Sequence, residues 1–247
     1  MDIGDRIQSC AESLGVDYVG VADLTEAREF IIEQGGPAIG QYPFGVTMGI
    51  ALIDPIVDLL PDRERNGGGI LYKHHAYDVV NTTLDQIAMR VANRLQREGY
   101  RALPVPASKR TDNDRICGPF SQKLAAHLAG FGWIGRSCLL ITPDHGPRVR
   151  WVTVLTDAPL TPTGSPMESR CGTCQACVTA CPVQAFTGRG FDPDEPREAR
   201  YDAAACERFF KAEEERTGNA VCGMCVWVCP YGQGRPAPVP DSSAFQK

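Results

Sequence analysis

The chain has 247 residues, a formal net charge of −5 and 11 cysteines. Its content of 43% hydrophobic and 22% charged residues is ordinary for a globular protein and excludes a wholly disordered chain. The apolar runs are shorter than the roughly 20 residues that a membrane span needs, so we expect no membrane partner. The opening residues, MDIGDRIQSC, contain neither an export signal nor a twin-arginine pair, which predicts a cytoplasmic protein.

The first part of the chain is predicted to alternate between helices and strands. A helix over Ile3–Leu14 ends before Gly15, and Tyr18–Ala22 is typical of a buried strand. A second helix is expected from Thr25 to Ile32. The next predicted elements are a loop over Gly35–Pro43, a strand over Gly45–Ile53 and an irregular, charged segment over Asp54–Gly69.

The longest predicted helix runs from about Tyr77 to Glu98. Its apolar residues recur every three or four positions and therefore line one face. These residues are Val80, Leu84, Ile87, Val91 and Leu95. We expect a strand over Tyr100–Val105 after this helix, and a further helix over Gln122–Ala129.

A turn rich in glycine follows at Gly130–Gly135. Two apolar segments, Cys138–Thr142 and Arg150–Thr156, are then predicted as strands of a hairpin. At Asp157 the composition changes to a joint rich in Pro and Thr. We therefore predict an α/β domain over residues 1–165, a cysteine-rich domain over 166–235 and a flexible, proline-rich tail over 236–247.

Eight of the 11 cysteines lie between Cys171 and Cys229. The first motif, CGTCQACVTACP, has the spacing C-x2-C-x2-C-x3-C-P of bacterial ferredoxins, in which the fourth cysteine ligates the neighbouring cluster. The second motif, CGMCVWVCP, lacks a first cysteine, which Cys206 supplies from upstream. The spacing favours two 4Fe–4S clusters over zinc. One cluster is predicted to use Cys171, Cys174, Cys177 and Cys229, and the other Cys181, Cys206, Cys222 and Cys225.

The chain has no dinucleotide fingerprint and no phosphate-binding lysine motif, so nothing in it indicates NAD, FAD or ATP. The segment Lys123–Leu140 stands out instead. Its glycines at positions 130, 132 and 135 allow a backbone to approach a large flat ligand closely. The alternative is that these glycines only end a helix and lead into a strand.

A combination of motifs identifies a family resemblance. AGFGWIGRS and LLITPDHGPRV precede the double-cluster pattern, and GVDYVGVADL and REGYRALPVP match earlier elements. The chain resembles the superfamily of epoxyqueuosine reductases and reductive dehalogenases. This resemblance implies an α+β fold, in which a nitroreductase-like α/β domain binds cobalamin and a ferredoxin-like domain with two 4Fe–4S clusters follows. The implied corrinoid contacts are Gly130, Gly132, Trp133, Ile134, Gly135, Ser137 and Cys138.

The resemblance fails at the expected proton donor. Epoxyqueuosine reductases carry a D-T-G-P segment, whereas this chain has Ile116-Cys117-Gly118-Pro119. Asp114 is a nearby carboxylate that could substitute. Reductive dehalogenases use a tyrosine paired with Lys or Arg, and the alignment of the long helix favours Tyr77 over Tyr72. The catalytic candidates are therefore Tyr77 and Asp114.

The resemblance implies a cobalamin-dependent iron–sulfur oxidoreductase. A low-potential donor such as ferredoxin or flavodoxin would reduce the clusters, and a corrinoid would then reduce a C–O or C–halogen bond of an unidentified small molecule. One alternative is an electron-transfer protein that reduces a corrinoid without turning over a small molecule. Another is an epoxyqueuosine reductase with a substitute proton donor. Its tRNA substrate is disfavoured by the missing aspartate and by the acidic charge balance.

Overall fold

The computed structural model describes residues 2–233, so the tail predicted over 236–247 lies outside the described residues. Contacts divide the chain into two compact units. The sheet unit comprises residues 2–52, His74–Phe131 and Val149–Pro166. The cysteine unit comprises Ile53–Lys73, Gly132–Arg148 and residues 167–233. The predicted boundary near Pro166 stays a prediction, and two segments that precede it group with the cysteine region.

The sheet unit is built on a four-stranded antiparallel sheet, in which β1 (Tyr18–Asp23) lies next to β2 (Phe44–Ala51), followed by β6 (Val149–Thr156) and β3 (Ala102–Val105). Its centre is apolar because Val21 of β1 pairs with Val46 of β2, which in turn pairs with Val154 of β6. All three valines are buried.

The sheet unit also contains helices. The helices are α1 (Ile3–Ser13), α2 (Arg28–Gly35), α3 (Pro37–Gly40), a π-helix (His74–Val80), α6 (Asn81–Arg97) and α7 (Gln122–Leu128). The apolar face predicted from Val80 to Leu95 is confirmed, since all five of its residues are buried. The prediction that this α-helix starts at Tyr77 is wrong, because residues 74–80 form a π-helix and α6 begins only at Asn81. The segment predicted as a loop over Gly35–Pro43 contains the short helix α3.

The cysteine unit has shorter elements. They are α4 (Asp54–Asp58), α5 (Gly68–Lys73), β4 (Trp133–Ile134), β5 (Leu140–Ile141), α8 (Ala176–Thr179), α9 (Ala203–Thr217), α10 (Met224–Trp227) and 3-10 turns at Leu60–Asp62, Arg197–Ala199 and Pro230–Gly232. The longest, α9, begins where the Asp202 side chain accepts a hydrogen bond from the Ala205 amide, and it ends at Gly218 in the left-handed region. The segment predicted as irregular over Asp54–Gly69 contains α4 and the start of α5.

The predicted hairpin between Cys138–Thr142 and Arg150–Thr156 is wrong. β5 pairs with β4 in a separate two-stranded sheet, while β6 pairs with β2 and β3. The intervening residues close a tight turn by a bridge between Thr142 and Gly146, which ends the pairing there. The chain nevertheless has the mixed helix and strand composition that was predicted. No helix of residues 2–233 has the length and apolar character of a membrane span.

Candidate metal centre

Four of the eight clustered cysteines line one cavity of the cysteine unit. They form the first cysteine group, which comprises Cys171, Cys174, Cys177 and Cys229. The loop that carries the first three turns tightly, because Gly172 has a φ of 51° and the Cys174 amide donates to the Cys171 carbonyl. The fourth lies just before the 3-10 turn at Pro230–Gly232.

The effects of the cysteine thiols on one another's pKa values show the same grouping. Burial raises the pKa of Cys177 to about 11, and the charges of Cys171 and Cys174 add to this effect. Burial also raises the pKa of Cys229 to about 12, with contributions from the first three cysteines of its group. Thiols that raise one another's pKa are close in space, and a cationic metal centre between them would relieve this repulsion.

The second cysteine group comprises Cys181, Cys206, Cys222 and Cys225. Burial raises the pKa of Cys225 most strongly, and Cys222 and Cys206 are the neighbouring thiols that contribute most. The Ala185 amide donates to Cys181 Sγ at 3.2 Å. Because the charge of Cys177 also acts on Cys225, the two groups are neighbours.

These surroundings fit two iron–sulfur clusters. The eight thiols form the two sets of four that the spacing predicts, and each of the eight cysteines is half-buried. Arg136 lines the cavity of the first group, and its Nε is buried and has no hydrogen-bond partner. An inorganic sulfide is an acceptor that would satisfy it. That the two sets bind iron is still our proposal.

In residues 2–233, no three His, Cys, Asp or Glu side chains are gathered as they would be around one metal ion. A cubane differs from a single ion because each of its four irons takes one cysteine thiolate. Its four ligands therefore stand further apart than those of a mononuclear site.

The residues predicted to contact a corrinoid lie within the packing of their own units. A Cβ at Gly130 would stand 3.0 Å from the Ser165 amide nitrogen, and one at Gly132 would overlap the Ile141 carbonyl oxygen at 2.0 Å. A Cβ at Gly135 would stand 2.7 Å from Ile141 Cγ1. The other four predicted contacts, Trp133, Ile134, Ser137 and Cys138, are buried. These seven residues therefore provide no open cradle for a corrinoid, and the three glycines serve the chain's own close packing.

The two catalytic candidates lie in different elements of the sheet unit. Tyr77 belongs to the π-helix, and the Arg150 guanidinium stands 4.5 Å from the centre of its ring. The Arg150 Nε donates to the buried Asn81 Oδ1 at 2.9 Å, which fixes the guanidinium. Asp114 is exposed in a loop that Asp112 organises through hydrogen bonds from the amides at 114 and 115.

Ile116, which stands at the position where the resemblance implies a proton donor, closes the same loop. Its φ of 52° lies in the left-handed region, which a β-branched residue rarely adopts. The adjacent Cys117 forms a bridge with Asp112 that holds the loop in this conformation. Asn and Asp adopt this backbone conformation more readily than Ile does.

Sequence reasoning missed several polar residues beside the cysteines. The Arg136 guanidinium donates to the carbonyl oxygens of Gly188 and Gly172. Tyr201 shares a hydrogen bond with Cys206, and the pKa of Tyr201 is raised first by burial and then by this bond. Arg63 pairs with the buried Glu213 at 3.6 Å and acts to lower the pKa of Cys222. The spacing of the cysteines gives no signal for these partners, which come from distant parts of the chain.

Comparisons with known proteins agree with this geometry. A family model described as a 4Fe–4S double cluster binding domain matches residues 170–232. An epoxyqueuosine reductase of Bacillus anthracis is 32% identical over 127 residues, which cover 47% of this chain and 31% of that protein. The epoxyqueuosine reductase of Aliivibrio fischeri is 24% identical over an alignment that covers all of this chain and 70% of that protein. The chain spans 31% to 43% of the length of the first curated relatives that it matches.

Two solved structures have the same fold. A catabolic reductive dehalogenase in complex with 3-bromo-4-hydroxybenzoic acid superimposes with a TM-score of 0.66 at 19% identity, over 96% of this chain and 33% of the other. An epoxyqueuosine reductase with a modified tRNA-Tyr stem loop gives a TM-score of 0.58 at 18% identity, over 94% and 65%. The chain is thus similar in sequence to epoxyqueuosine reductases, and it has the fold that they share with a reductive dehalogenase.

Proposed function

We propose that the chain is an iron–sulfur oxidoreductase of the epoxyqueuosine reductase type. In this proposal, the two cysteine groups would hold two 4Fe–4S clusters that supply electrons for the reduction of a C–O or C–halogen bond, and the corrinoid that the resemblance implies would supply the reductive chemistry when bound. The observation that carries the proposal is the gathering of eight cysteines into two neighbouring groups of four. The sequence relatives named as reductases support it.

The protein's own residues would act as follows. Bound clusters supply one-electron transfer. The first and second cysteine groups would hold one cluster each as thiolates, and the partial burial of Cys225 and Cys229 would limit the access of water to the irons. Since Cys177 and Cys225 belong to different groups and lie near each other, an electron would have a short path between the clusters.

The corrinoid is supported by the resemblance rather than by residues 130–138, which offer no open surface to it. We therefore assign it no contact with them and derive no step through it. Binding of added cobalamin by the pure protein tests this part of the proposal directly. If the clusters form and no cobalamin binds, the electron-transfer alternative replaces the reductase.

Tyr77 is our proposed proton donor. Its side chain is 37% exposed, so a substrate can reach it. The Arg150 guanidinium over the ring, itself fixed by Asn81, holds the phenol in one orientation. The π-helix that carries Tyr77 is a rare element that occurs frequently at functional sites.

Epoxyqueuosine in tRNA is the second candidate substrate. The curated relatives bear that enzyme's name, and one structural neighbour was solved with a tRNA stem loop. Substitution of Ile116 tests this activity, because the resemblance places the proton-donating carboxylate of epoxyqueuosine reductases at this position. Ile116→Asp should increase the reduction of an epoxyqueuosine stem loop, whereas Ile116→Asn, which suits the same backbone, should not.

The test of the proposed function is an anaerobic assay of reconstituted protein. We expect about eight irons per chain and cobalamin uptake. A low-potential reductant should then support turnover of an epoxyqueuosine stem loop or of 3-bromo-4-hydroxybenzoic acid, measured by mass spectrometry. Tyr77→Phe should lower turnover by about 100-fold while iron content stays unchanged. Tyr100→Phe, in the same unit, is the matched control. A chain that binds no iron would overturn the proposal.

A further inference from the structure

The turn that follows Gly132 faces the first cysteine group. The Trp133 Nε1 donates a hydrogen bond to Cys171 Sγ at 3.4 Å. The indole is held firmly: it is 1% exposed, and the Tyr231 ring meets it edge-on at 4.8 Å. The pairing of Trp133 with Ile141 fixes its backbone. Because the indole is so constrained, we expect this hydrogen bond to be kept in both the oxidised and the reduced state of the cluster.

Arg136 brings a positive charge to the same cavity. It lines the cavity together with the four cysteines of the first group. Its guanidinium donates to the carbonyl oxygens of Gly172, at 2.8 Å, and Gly188, so it is anchored to the ligand loop itself. Its Nε is buried without an acceptor. In the described part of the chain, Arg136 has no carboxylate partner, so its charge is not neutralised.

The second cysteine group has different surroundings. Its hydrogen bonds come from the Ala185 amide and the Tyr201 hydroxyl. The cation beside it, Arg63, is paired with the Glu213 carboxylate, which offsets its charge. The Arg63 charge beside the second group is therefore offset by a carboxylate, whereas the Arg136 charge beside the first group is not.

Hydrogen bonds to sulfur and nearby positive charge both stabilise the reduced, more negative state of a cluster. We propose that Trp133 and Arg136 give the cluster of the first cysteine group the higher reduction potential of the two. When a low-potential donor supplies one electron to the oxidised pair, that electron then resides on the first cluster, which passes from the 2+ to the 1+ state. This inference deepens the proposed function and rests on its two clusters.

A redox titration of the reconstituted protein, followed by EPR, tests this inference. Arg136→Gln should lower the reduction equilibrium constant of the first cluster about tenfold, or about 59 mV for one electron. Trp133→Phe, which removes one hydrogen bond, should lower it about threefold, or about 28 mV. Cys206→Ala removes a ligand of the second group. The midpoint potential that this variant retains is therefore assigned to the first cluster.

Matched controls separate these effects from general loss of charge or of an indole. Arg189→Gln removes a charge at an exposed position next to Gly188, and Trp151→Phe alters an indole in the sheet unit. Both should leave the midpoints unchanged. Arg136→Lys keeps the charge and should retain most of the wild-type potential, which gives a result even if Trp133→Phe fails to fold.

The possible outcomes are distinguishable. Unchanged midpoints in Arg136→Gln at full iron content would overturn the inference and leave the proposed function standing. A shift of the second midpoint alone, or a first midpoint lower than the second in the wild type, would also overturn it. Wild-type protein without clusters would overturn the proposed function and this inference with it.

Discussion

The two units of the chain are stabilised in different ways. In the sheet unit, an eight-residue strand, β6, lies inside an antiparallel sheet, and the 17-residue helix α6 buries a continuous apolar face. In the cysteine unit, two of the helices that carry cysteines, α8 and α10, have four residues each. Helices that short are not stable by themselves in water. The comparison indicates that burial of apolar side chains stabilises the sheet unit, and we expect the clusters that we propose to stabilise the cysteine unit.

Removal of a cluster ligand should give the largest difference between the units. Cys206→Ser leaves the second group with three thiols, so we expect about four of about eight irons to be lost. Thermal unfolding should then show an early transition for the cysteine unit and an unchanged one for the sheet unit. Cys117→Ser, in the sheet unit, is the control and should keep all of its iron. Loss of both transitions would contradict the independence of the sheet unit.

A core substitution in the sheet unit gives the converse test. Leu84→Ala on α6 removes a fully buried side chain and should lower the free energy of unfolding by about 2–5 kcal/mol. Met89→Ala, at a position 52% exposed on the same helix, should change it by less than about 0.5 kcal/mol. Denaturant unfolding measures both, and iron content should stay constant. If Leu84→Ala released iron as readily as Cys206→Ser does, the proposal that apolar burial stabilises the sheet unit and the clusters stabilise the cysteine unit would be wrong.

The buried ion pair of the cysteine unit should have an intermediate effect. Glu213→Gln leaves the Arg63 charge largely buried without its carboxylate, at a cost of about 2 kcal/mol. Because Arg63 then acts on Cys222 without the Glu213 carboxylate, the potential of the second cluster should also rise. The loss of cluster absorbance on heating reports stability, and a redox titration reports the potential. Glu214→Gln, on the exposed side of α9, should change neither.

The smallest expected effect is a pH dependence within the sheet unit. The hydrogen bond from Arg101 holds the pKa of Asp157 below its ordinary value. The pair therefore stabilises the unit above the ordinary carboxyl pKa, and this contribution disappears as the pH falls through the lowered value. Asp157→Asn should lower the Tm by about 2 °C at pH 7, and the difference should shrink progressively as the pH falls below the ordinary carboxyl pKa. The exposed Glu26→Gln should show no such dependence.

The sequence predicted those parts of the fold that depend on local patterns. The face from Val80 to Leu95 could be recognised because each position repeats along one helix. The hairpin prediction failed because apolar segments such as Cys138–Thr142 show that they are buried but not which strand they pair with. The π-helix at residues 74–80 leaves the apolar repeat intact, so it has no distinct signature.

The candidate site was predictable to a similar degree. Cysteine spacing alone divides the eight thiols into the two groups that the structure brings together. The role of the glycine turn was not predictable in this way, because the atoms that fill it come from Ile141 and the ligand loop at Cys171. Arg136 lies inside the motif that drew attention to this turn. Its partners, Gly172 and Gly188, are known only once the chain has folded.

The crossed arrangement of the cysteines also sets the order of events during synthesis. Chains emerge from the ribosome from the N-terminus, and domains fold as they become complete. The sheet unit is complete once Pro166 has emerged, before any clustered cysteine exists. The first cysteine group, although it opens the motif, is the last to be completed, because it waits for Cys229. In our proposal, iron can complete the first group only after Cys229 has emerged, when the sheet unit can already have folded.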